Sequence, residues 1–137
     1  MIGTELINTM IGIPWKKGGR NPSEGLDCWG FLKYFYTQIL NINIDYDYPY
    51  QPGDTKNIVK SFTKATSKEG GWTKLDKPKN FCAVALSQNK RIHHVGIWFN
   101  GGCLHATEGL GVVYNNISDL KRNGYNRVEF YTCQQIQ

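Results

Sequence analysis

Residues 91–106 have the sequence RIHHVGIWFNGGCLHA, in which two runs of β-prone residues flank Asn100 and Gly101. Asn-Gly between two such runs is the strongest short-range signal for a two-residue hairpin turn. The turn would pair Phe99 with Gly102, and the residue numbers of every other facing pair would then sum to about 201. The stretch therefore predicts an antiparallel hairpin.

This register has a consequence for the three histidines of the chain, which all lie within this hairpin. It places His94 diagonal to His105 on one face of the sheet, at about 7–8 Å between Cα atoms, and turns His93 to the other face. An odd-length loop would select His93 instead, because a slip of one residue exchanges the faces. A lone histidine more often has a structural role, but clustered histidines favour a chemical one.

Upstream of the hairpin, Cys28 lies in the string Gly25-Leu26-Asp27-Cys28-Trp29-Gly30. A helix is predicted here, because one face would carry Cys28, Leu32, Phe35 and Ile39. Asp27 is a suitable N-cap, and the first turn of the helix would favour a thiolate by about 1 kcal/mol. The alternative is that Cys28 is simply a small buried hydrophobe at a helix start.

The combination of Cys28 with downstream histidines is typical of a cysteine nucleophile and its base. A thiol with a pKa near 8.5 needs a positive environment or a base to react near neutral pH. Zinc is the competing chemistry, since Cys28, Cys103, His94 and His105 are all suitable ligand types. The chain has no Cys-x-x-Cys pair of the kind that structural zinc sites use, so we expect no metal and no cofactor.

The remaining pattern predicts helices first and strands last in a single domain over residues 1–137, which is the α+β class. We expect helices from Thr4 to Ile11, from Cys28 to near Asn41 and from Asp54, the last with Ile58, Val59, Phe62 and Ala65 inward. An aromatic connection over residues 43–53 would join the last two. About five antiparallel strands should follow: Phe81–Leu86, Ile92–Phe99, Cys103–Thr107, Gly111–Tyr114 and Arg127–Tyr131.

The chain has a net charge of +5, and four lysines recur at four-residue spacing as a basic stripe on the third predicted helix: Lys56, Lys60, Lys64 and Lys68. Such a stripe fits an anionic partner or, more simply, a solvated face. No nucleic-acid-binding motif accompanies it, so nucleic acid is not an expected partner. Composition does not indicate the oligomeric state.

Cysteine usage and the N-terminus bear on the compartment. The four cysteines, Cys28, Cys82, Cys103 and Cys133, are spread through a chain too large to be a disulfide scaffold, so we expect them to be reduced. The first residues lack the pattern of a secretory signal, and no segment approaches about 18 apolar residues. We expect a soluble protein made in the cytoplasm, which would need another route to any extracellular target.

Four segments in order resemble the NlpC-type cysteine peptidases, which are bacterial and phage enzymes of papain-like fold that cut peptidoglycan stem peptides. They are Ile13-Pro14-Trp15-Lys16-Lys17-Gly18-Gly19, Leu26-Asp27-Cys28-Trp29-Gly30-Phe31, His94-Val95-Gly96-Ile97-Trp98 and Leu104-His105-Ala106. The resemblance covers most of the chain. It implies that Cys28 is the nucleophile, His94 the general base and His105 the group that orients this base.

The resemblance also implies a substrate, a location and partners. The substrate would be an amide in a stem peptide, commonly the bond from D-glutamate to a diamino acid. The string Asp27-Cys28-Trp29-Gly30 looks most like the phage tail-associated branch of the family, which makes phage tail proteins candidate partners. The protein would reach the cell wall in a virion, after lysis, or by secretion as an effector, unless an export signal is missing from the chain.

The chain departs from the family pattern in the part that would bind substrate. Many members carry tyrosine at the position of Trp15 and serine at that of Trp29, and these hydroxyls help the Asp before the Cys to hold a free amino terminus. An indole N–H donates but does not accept, so only Asp27 matches that function. Trp15 offers a stacking surface instead, unless both indoles are core or rim aromatics.

Two other functions remain open for the same fold. One is a non-catalytic phage structural or wall-binding module that holds glycan or peptide with Trp15 and Trp29. The other is a thioester acyltransferase that passes the acyl group to an acceptor other than water.

Overall fold

The computed structural model describes residues 4–44, 66, 71–88 and 91–132, with the side chains of residues 91–93 left out. Within these residues three α-helices are complete: α1 (Thr4–Met10), α2 (Cys28–Tyr34) and α3 (Ile117–Arg122). A π-helical turn, Phe35–Ile39, continues α2. The short strands β1 (Arg20–Asn21) and β2 (Gly25–Leu26) pair with each other ahead of α2.

The main sheet is antiparallel and has six strands in the described part of the chain. They are β3 (Thr73–Leu75), β4 (Ala83–Gln88), β5 (Arg91–Phe99), β6 (Gly102–Thr107), β7 (Gly111–Asn115) and β8 (Arg127–Thr132). Their order in space is β3-β8-β4-β5-β6-β7. Strands β4 to β7 are therefore a meander, and β8 returns to lie beside β4.

The hairpin predicted from Asn100 and Gly101 is confirmed. Phe99 pairs with Gly102, and the next pairs continue in the same register through Trp98 with Cys103 and Ile97 with Leu104. Asn100 has φ 51° and Gly101 has φ 82°. Positive φ at both central residues is what a type I′ turn requires, and Asn and Gly are the residues that adopt it with least strain.

The predicted α+β class is confirmed, with differences in detail. The strand Thr73–Leu75 was not predicted, which makes six strands where about five were expected. The helix Ile117–Arg122 was also not predicted, although the side chains of Asn116 and Asp119 form a capping box there. The helix from Asp54, the lysine stripe, most of the 43–53 connection and Cys133 lie outside the described residues.

Two apolar clusters lie on the two faces of the sheet. The larger contains α1, α2 and the inward side chains of the sheet, including Ala83, Val95, Ile97, Leu104 and Val112. The smaller lies on the opposite face and contains Cys82, Val84, Leu86, Trp98, Cys103 and Leu120, the last from α3. The N-terminus of α2 therefore packs against the centre of the sheet, next to β5 and β6.

Candidate active site

Cys28 is the first residue of α2 and is 3% exposed. Asp27 is the N-cap as predicted, because its Oδ1 accepts a hydrogen bond of 2.7 Å from the backbone N–H of Gly30. Buried apolar residues continue the helix face, so the cap and the core together fix where the thiol lies. The alternative to a nucleophile, a small buried hydrophobe, is consistent with this burial taken alone.

The charge state of Cys28 differs from the expectation that the helix start favours a thiolate. Burial is the largest cause that raises the pKa of Cys28 to about 12, and the adjacent Asp27 carboxylate raises it further. Hydrogen bonds with the backbone of Val95 and Trp29, and the positive charge of Arg20, lower the pKa but do not offset burial. The resting group is therefore a neutral thiol, and a base must take its proton when it reacts.

His94 and His105 meet as the hairpin register predicts. The distance from Nε2 of His94 to Nδ1 of His105 is 2.8 Å, and the rings are nearly perpendicular. His94 is 8% exposed and His105 is fully buried. The structure therefore brings the two histidines of the candidate site into direct contact.

Glycine at position 96 allows β6 to lie close to β5 beside this pair of rings. Gly96 follows His94 by two residues on β5 and so lies on the same face. A Cβ at this position would lie 2.6 Å from Sγ of Cys103 and 3.0 Å from Cβ of His105. A larger residue would collide with Cys103, with the carbonyl of Leu104 and with His105, so β6 would have to shift.

His105 has a second hydrogen bond, with a residue that we did not predict to belong to the site. Its Nε2 lies 2.7 Å from Oδ1 of Asn115, the last residue of β7. Burial lowers the pKa of His105, and the bond with Asn115 offsets part of that change. His105 is therefore less readily protonated than an exposed histidine, and it lies between two hydrogen-bond partners.

Cys28 lies near the backbone of β5 beside His94. Its thiol is hydrogen-bonded with the backbone of Val95, the residue that follows His94. The ladder between β5 and β6 consists of the three pairs from Ile97 to Phe99, so His94 and Val95 lie beyond it. The start of α2 therefore lies near the stretch of β5 backbone that carries the candidate base.

Tyr125 covers one face of the His94 ring. Its ring stacks on His94 with centroids 5.5 Å apart and an interplanar angle of 10°, and it meets His105 edge-on at 6.5 Å. Its backbone N–H donates to the carbonyl of Leu120, so α3 fixes its position. Burial raises the pKa of Tyr125, and the thiols of Cys28 and Cys103 raise it further.

Asp27 has a cationic partner that the sequence analysis did not include. Nη1 of Arg20 donates to Oδ1 of Asp27 at 2.7 Å and to the carbonyl of Gly19 at 2.7 Å. The Asp27 side chain is 13% exposed and that of Arg20 is 31% exposed. The oxygen that was expected to face a substrate amine thus already accepts from a guanidinium and from the helix.

The two candidate substrate-binding tryptophans have different surroundings. Trp15 is half-buried and packs at the edge of the larger cluster. Trp29 is 2% exposed, and its ring stacks on Trp72 with centroids 6.2 Å apart. Of the two, only Trp15 offers a surface to a ligand in this structure.

Within the described ranges, no three His, Cys, Asp or Glu side chains are grouped so that they would hold a metal ion. Cys28, Cys82 and Cys103 are free thiols. In the same part of the chain, no helix has both the length and the apolar character needed to cross a membrane.

Asn115, Tyr125 and Arg20 are the site residues that sequence reasoning missed. Asn115 follows the predicted end of its strand by one residue, and strand alternation places it on the face of Val113, which pairs with His105. That spacing was available in the sequence. Tyr125 lies in the irregular segment after α3 and Arg20 in the two-residue strand β1, and both segments are too short or irregular to show a periodic pattern.

Comparison with known proteins agrees with the fold. Residues 12–128 match the family model described as NlpC/P60 family. The crystal structure of the NlpC/p60 domain of peptidoglycan hydrolase SagA is similar to this chain at a TM-score of 0.58 and 21% sequence identity, covering 93% of this chain and 92% of that one. At this identity the likeness shows a common fold.

A short stretch is also similar to the gamma-DL-glutamyl hydrolase of Bacillus subtilis (strain 168). The two are 50% identical over 32 residues, which is 23% of this chain and 8% of that protein. This chain therefore matches only a small part of that relative's length.

Proposed function

The chain belongs to the NlpC/P60 family, and we propose that it is a cysteine peptidase that hydrolyses an amide bond in peptidoglycan stem peptides. The observation that carries the proposal is the hydrogen bond between His94 and His105 beside the backbone segment that binds the Cys28 thiol. A nucleophile, a base and a group that orients the base are the parts that this chemistry needs.

In the proposed mechanism, Cys28 attacks the amide carbonyl while His94 takes the thiol proton. Sulfur bonds to the carbonyl carbon, and His94 returns the proton to the departing amine. Water then hydrolyses the thioester, which releases the acid and restores the thiol. The oxyanion would lie near the backbone N–H of Cys28, and His105 would hold the His94 ring.

A neutral resting thiol makes proton transfer part of the attack. Because burial raises the pKa of Cys28 to about 12, a thiolate formed in advance would be a small fraction near neutral pH. Substrate that enters the site displaces water, and the proton moves to His94 as the carbon–sulfur bond forms. The base is therefore essential to the first step.

The finer identity of the substrate belongs to the proposal. We propose the bond from D-glutamate to a diamino acid, which is consistent with the short similarity to a protein named gamma-DL-glutamyl hydrolase. Trp15 is the proposed stacking surface, and Asp27 contributes through its pair with Arg20. We assign Trp29 a packing role, since its ring is buried against Trp72.

Delivery to the wall is also part of the proposal. The string Asp27-Cys28-Trp29-Gly30 supports a phage tail-associated enzyme, and release as a secreted effector is the other route. Sedimentation of virions followed by mass spectrometry would find the protein in the particle if the first route is correct. Its absence from particles of a phage that encodes it would contradict that route.

The activity is tested by digestion of purified peptidoglycan and mass spectrometry of the fragments. Wild type should release stem-peptide fragments, and Cys28→Ala and His94→Ala should lower the rate by about 10³-fold or more, because the nucleophile and its base act as a unit. Cys82→Ala removes a different buried thiol and serves as the matched control. A Cys28→Ala protein that cleaves like wild type would refute the mechanism.

One observation favours a second candidate, a non-catalytic wall-binding module: Cys28 is buried and its pKa is raised. This candidate predicts wall binding that Cys28→Ala does not change, and alkylation of Cys28 by iodoacetamide near neutral pH no faster than that of Cys82. Alkylation of Cys28 that is faster than that of Cys82 and falls in His94→Ala would favour the enzyme.

A further inference from the structure

Three consecutive strands contribute one side chain each to a chain of hydrogen bonds. His94 on β5 bonds with His105 on β6 at 2.8 Å, and His105 bonds with Asn115 on β7 at 2.7 Å. We propose that Asn115 is a positioning residue that fixes the protons of both imidazoles, so that Nδ1 of His94 carries the lone pair that acts as base. The role of that lone pair rests on the proposed function.

Asn115 determines which atom donates and which accepts in each of these hydrogen bonds. The amide oxygen of Asn115 accepts hydrogen bonds and donates none. His105 must therefore donate from Nε2, and in a neutral imidazole this leaves Nδ1 as an acceptor. The 2.8 Å contact then requires that His94 donates from its own Nε2. The ring nitrogen of His94 that remains, Nδ1, has no proton and can take one.

The opposite arrangement would disable the base. If a donor faced Nε2 of His105, that nitrogen would accept and Nδ1 of His105 would carry the proton. His94 would then accept at Nε2 and hold its own proton at Nδ1. In that tautomer the ring lone pair of neutral His94 is at Nε2, where it accepts the hydrogen bond from His105. His94 therefore cannot take a thiol proton.

The neutrality of His105 keeps the arrangement in place during the reaction. Burial lowers the pKa of His105, so it remains an acceptor at Nδ1 when His94 becomes positively charged. The bond that His94 donates strengthens when its donor is charged. The proton that leaves Cys28 therefore remains on His94, where the departing amine can recover it.

The test compares Asn115→Leu, which removes the acceptor, with Asn115→Asp, which keeps an acceptor. Asn43→Leu makes the same chemical change at an exposed position and is the control. In Asn115→Leu we expect kcat to fall by about 10- to 100-fold, as when groups that orient a reactive histidine are lost. KM should not change, because Asn115 supports the base through His105 and does not hold substrate.

Asn115→Asp separates positioning from simple packing. The carboxylate accepts from Nε2 of His105 but raises the pKa of that ring, since an opposite charge favours the protonated form. Protonated His105 has no acceptor for His94, so the acidic limb of the kcat profile should move to higher pH by about one unit or more, with activity retained above it. Equal loss of kcat in both variants at every pH would indicate a structural role and overturn the proposal.

A second readout needs no substrate. Long-range ¹H–¹⁵N NMR of the imidazoles should show the Nε2–H tautomer for His94 and His105 in wild type and Asn115→Asp at high pH, and a loss of that tautomer in Asn115→Leu. If Asn115→Leu loses the Nε2–H tautomer as predicted but wild type cleaves no wall peptide, the proposed function is wrong and the assignment of protons is still supported. If wild type cleaves wall peptide and the imidazole tautomers are unchanged in Asn115→Leu, the role proposed for Asn115 is wrong. Should Asn115→Leu not fold, the pH profile of Asn115→Asp decides.

Discussion

At the scale of single residues, opposing influences act on the Cys28 thiol, and burial outweighs the others. The backbone hydrogen bonds and the charge of Arg20 favour the thiolate, whereas burial and the Asp27 carboxylate oppose it, and the pKa of Cys28 is raised to about 12. The sequence shows the local contributions, namely the helix start and Asp27. It does not show burial, because burial depends on strands more than fifty residues away.

Tyr125 provides the first prediction at this scale. An aromatic contact contributes about 0.5–1.5 kcal/mol, and here the ring stacked on Tyr125 is that of the proposed base. We expect Tyr125→Ala to lower kcat by about 2- to 10-fold and Tyr125→Phe to retain it, because phenylalanine keeps the stacked ring. Steady-state kinetics on wall fragments measures this. Equal losses in both variants would show that the hydroxyl, not the ring, matters.

The scale of elements shows where sequence patterns succeed. The turn at Asn100 and Gly101 predicted the hairpin register, and that register brought His94 and His105 together because side chains alternate strictly along a strand. The Cys28 helix was predicted with its N-cap, because apolar spacing and an Asp at the start are both local features. Local rules were sufficient for these parts.

Other elements had no local signal of comparable strength. The strand Thr73–Leu75 is three residues long and is defined by its pairing with β8. Too few residues alternate there for a periodic pattern to appear. Tyr125 and Arg20 also lacked such a signal, because they reach the site through tertiary contacts, whereas strand alternation could have identified Asn115. The polar pair Asn116 and Asp119 did mark the start of α3, and we did not use it.

A prediction at this scale concerns the turn itself. Gly101 has φ 82°, and a Cβ there would have no heavy atom within 4 Å, so a substitution changes conformation and not packing. We expect Gly101→Ala to lower the free energy of unfolding by about 1–2 kcal/mol, the cost of a left-handed conformation for an L-residue. Urea unfolding followed by circular dichroism measures it.

Gly101→Asn is the matched variant. Asparagine adopts positive φ more readily than alanine, so this variant should lose less stability than Gly101→Ala. If the two variants are equally unstable, the turn is not the origin of the effect.

At the scale of the whole molecule, the site residues affect folding as well as reactivity. Burial lowers the pKa of His105 in the folded protein, whereas in the unfolded chain it has the ordinary value of about 6.5. Between these two pKa values the unfolded chain binds more protons than the folded one. The free energy of unfolding should therefore fall as the pH is lowered from about 6.5 through the pKa of the folded state.

His105→Gln isolates this contribution. Glutamine keeps a polar side chain but does not titrate, so its stability should fall less steeply below pH 6.5 than that of wild type. Urea unfolding at several pH values between 5 and 7.5 gives both curves. Parallel curves would show that protonation of His105 is not linked to unfolding.

The chain His94–His105–Asn115 spans three neighbouring strands that are joined by two tight turns, Asn100-Gly101 and residues 108–110. Insertion of one residue in either turn would barely change the composition or charge of the protein. It would nevertheless turn one of the three side chains to the opposite face of the sheet. Length variation among natural relatives should thus be rare in these two turns. Loss of the proposed cleavage activity would therefore report a change in the register of these strands.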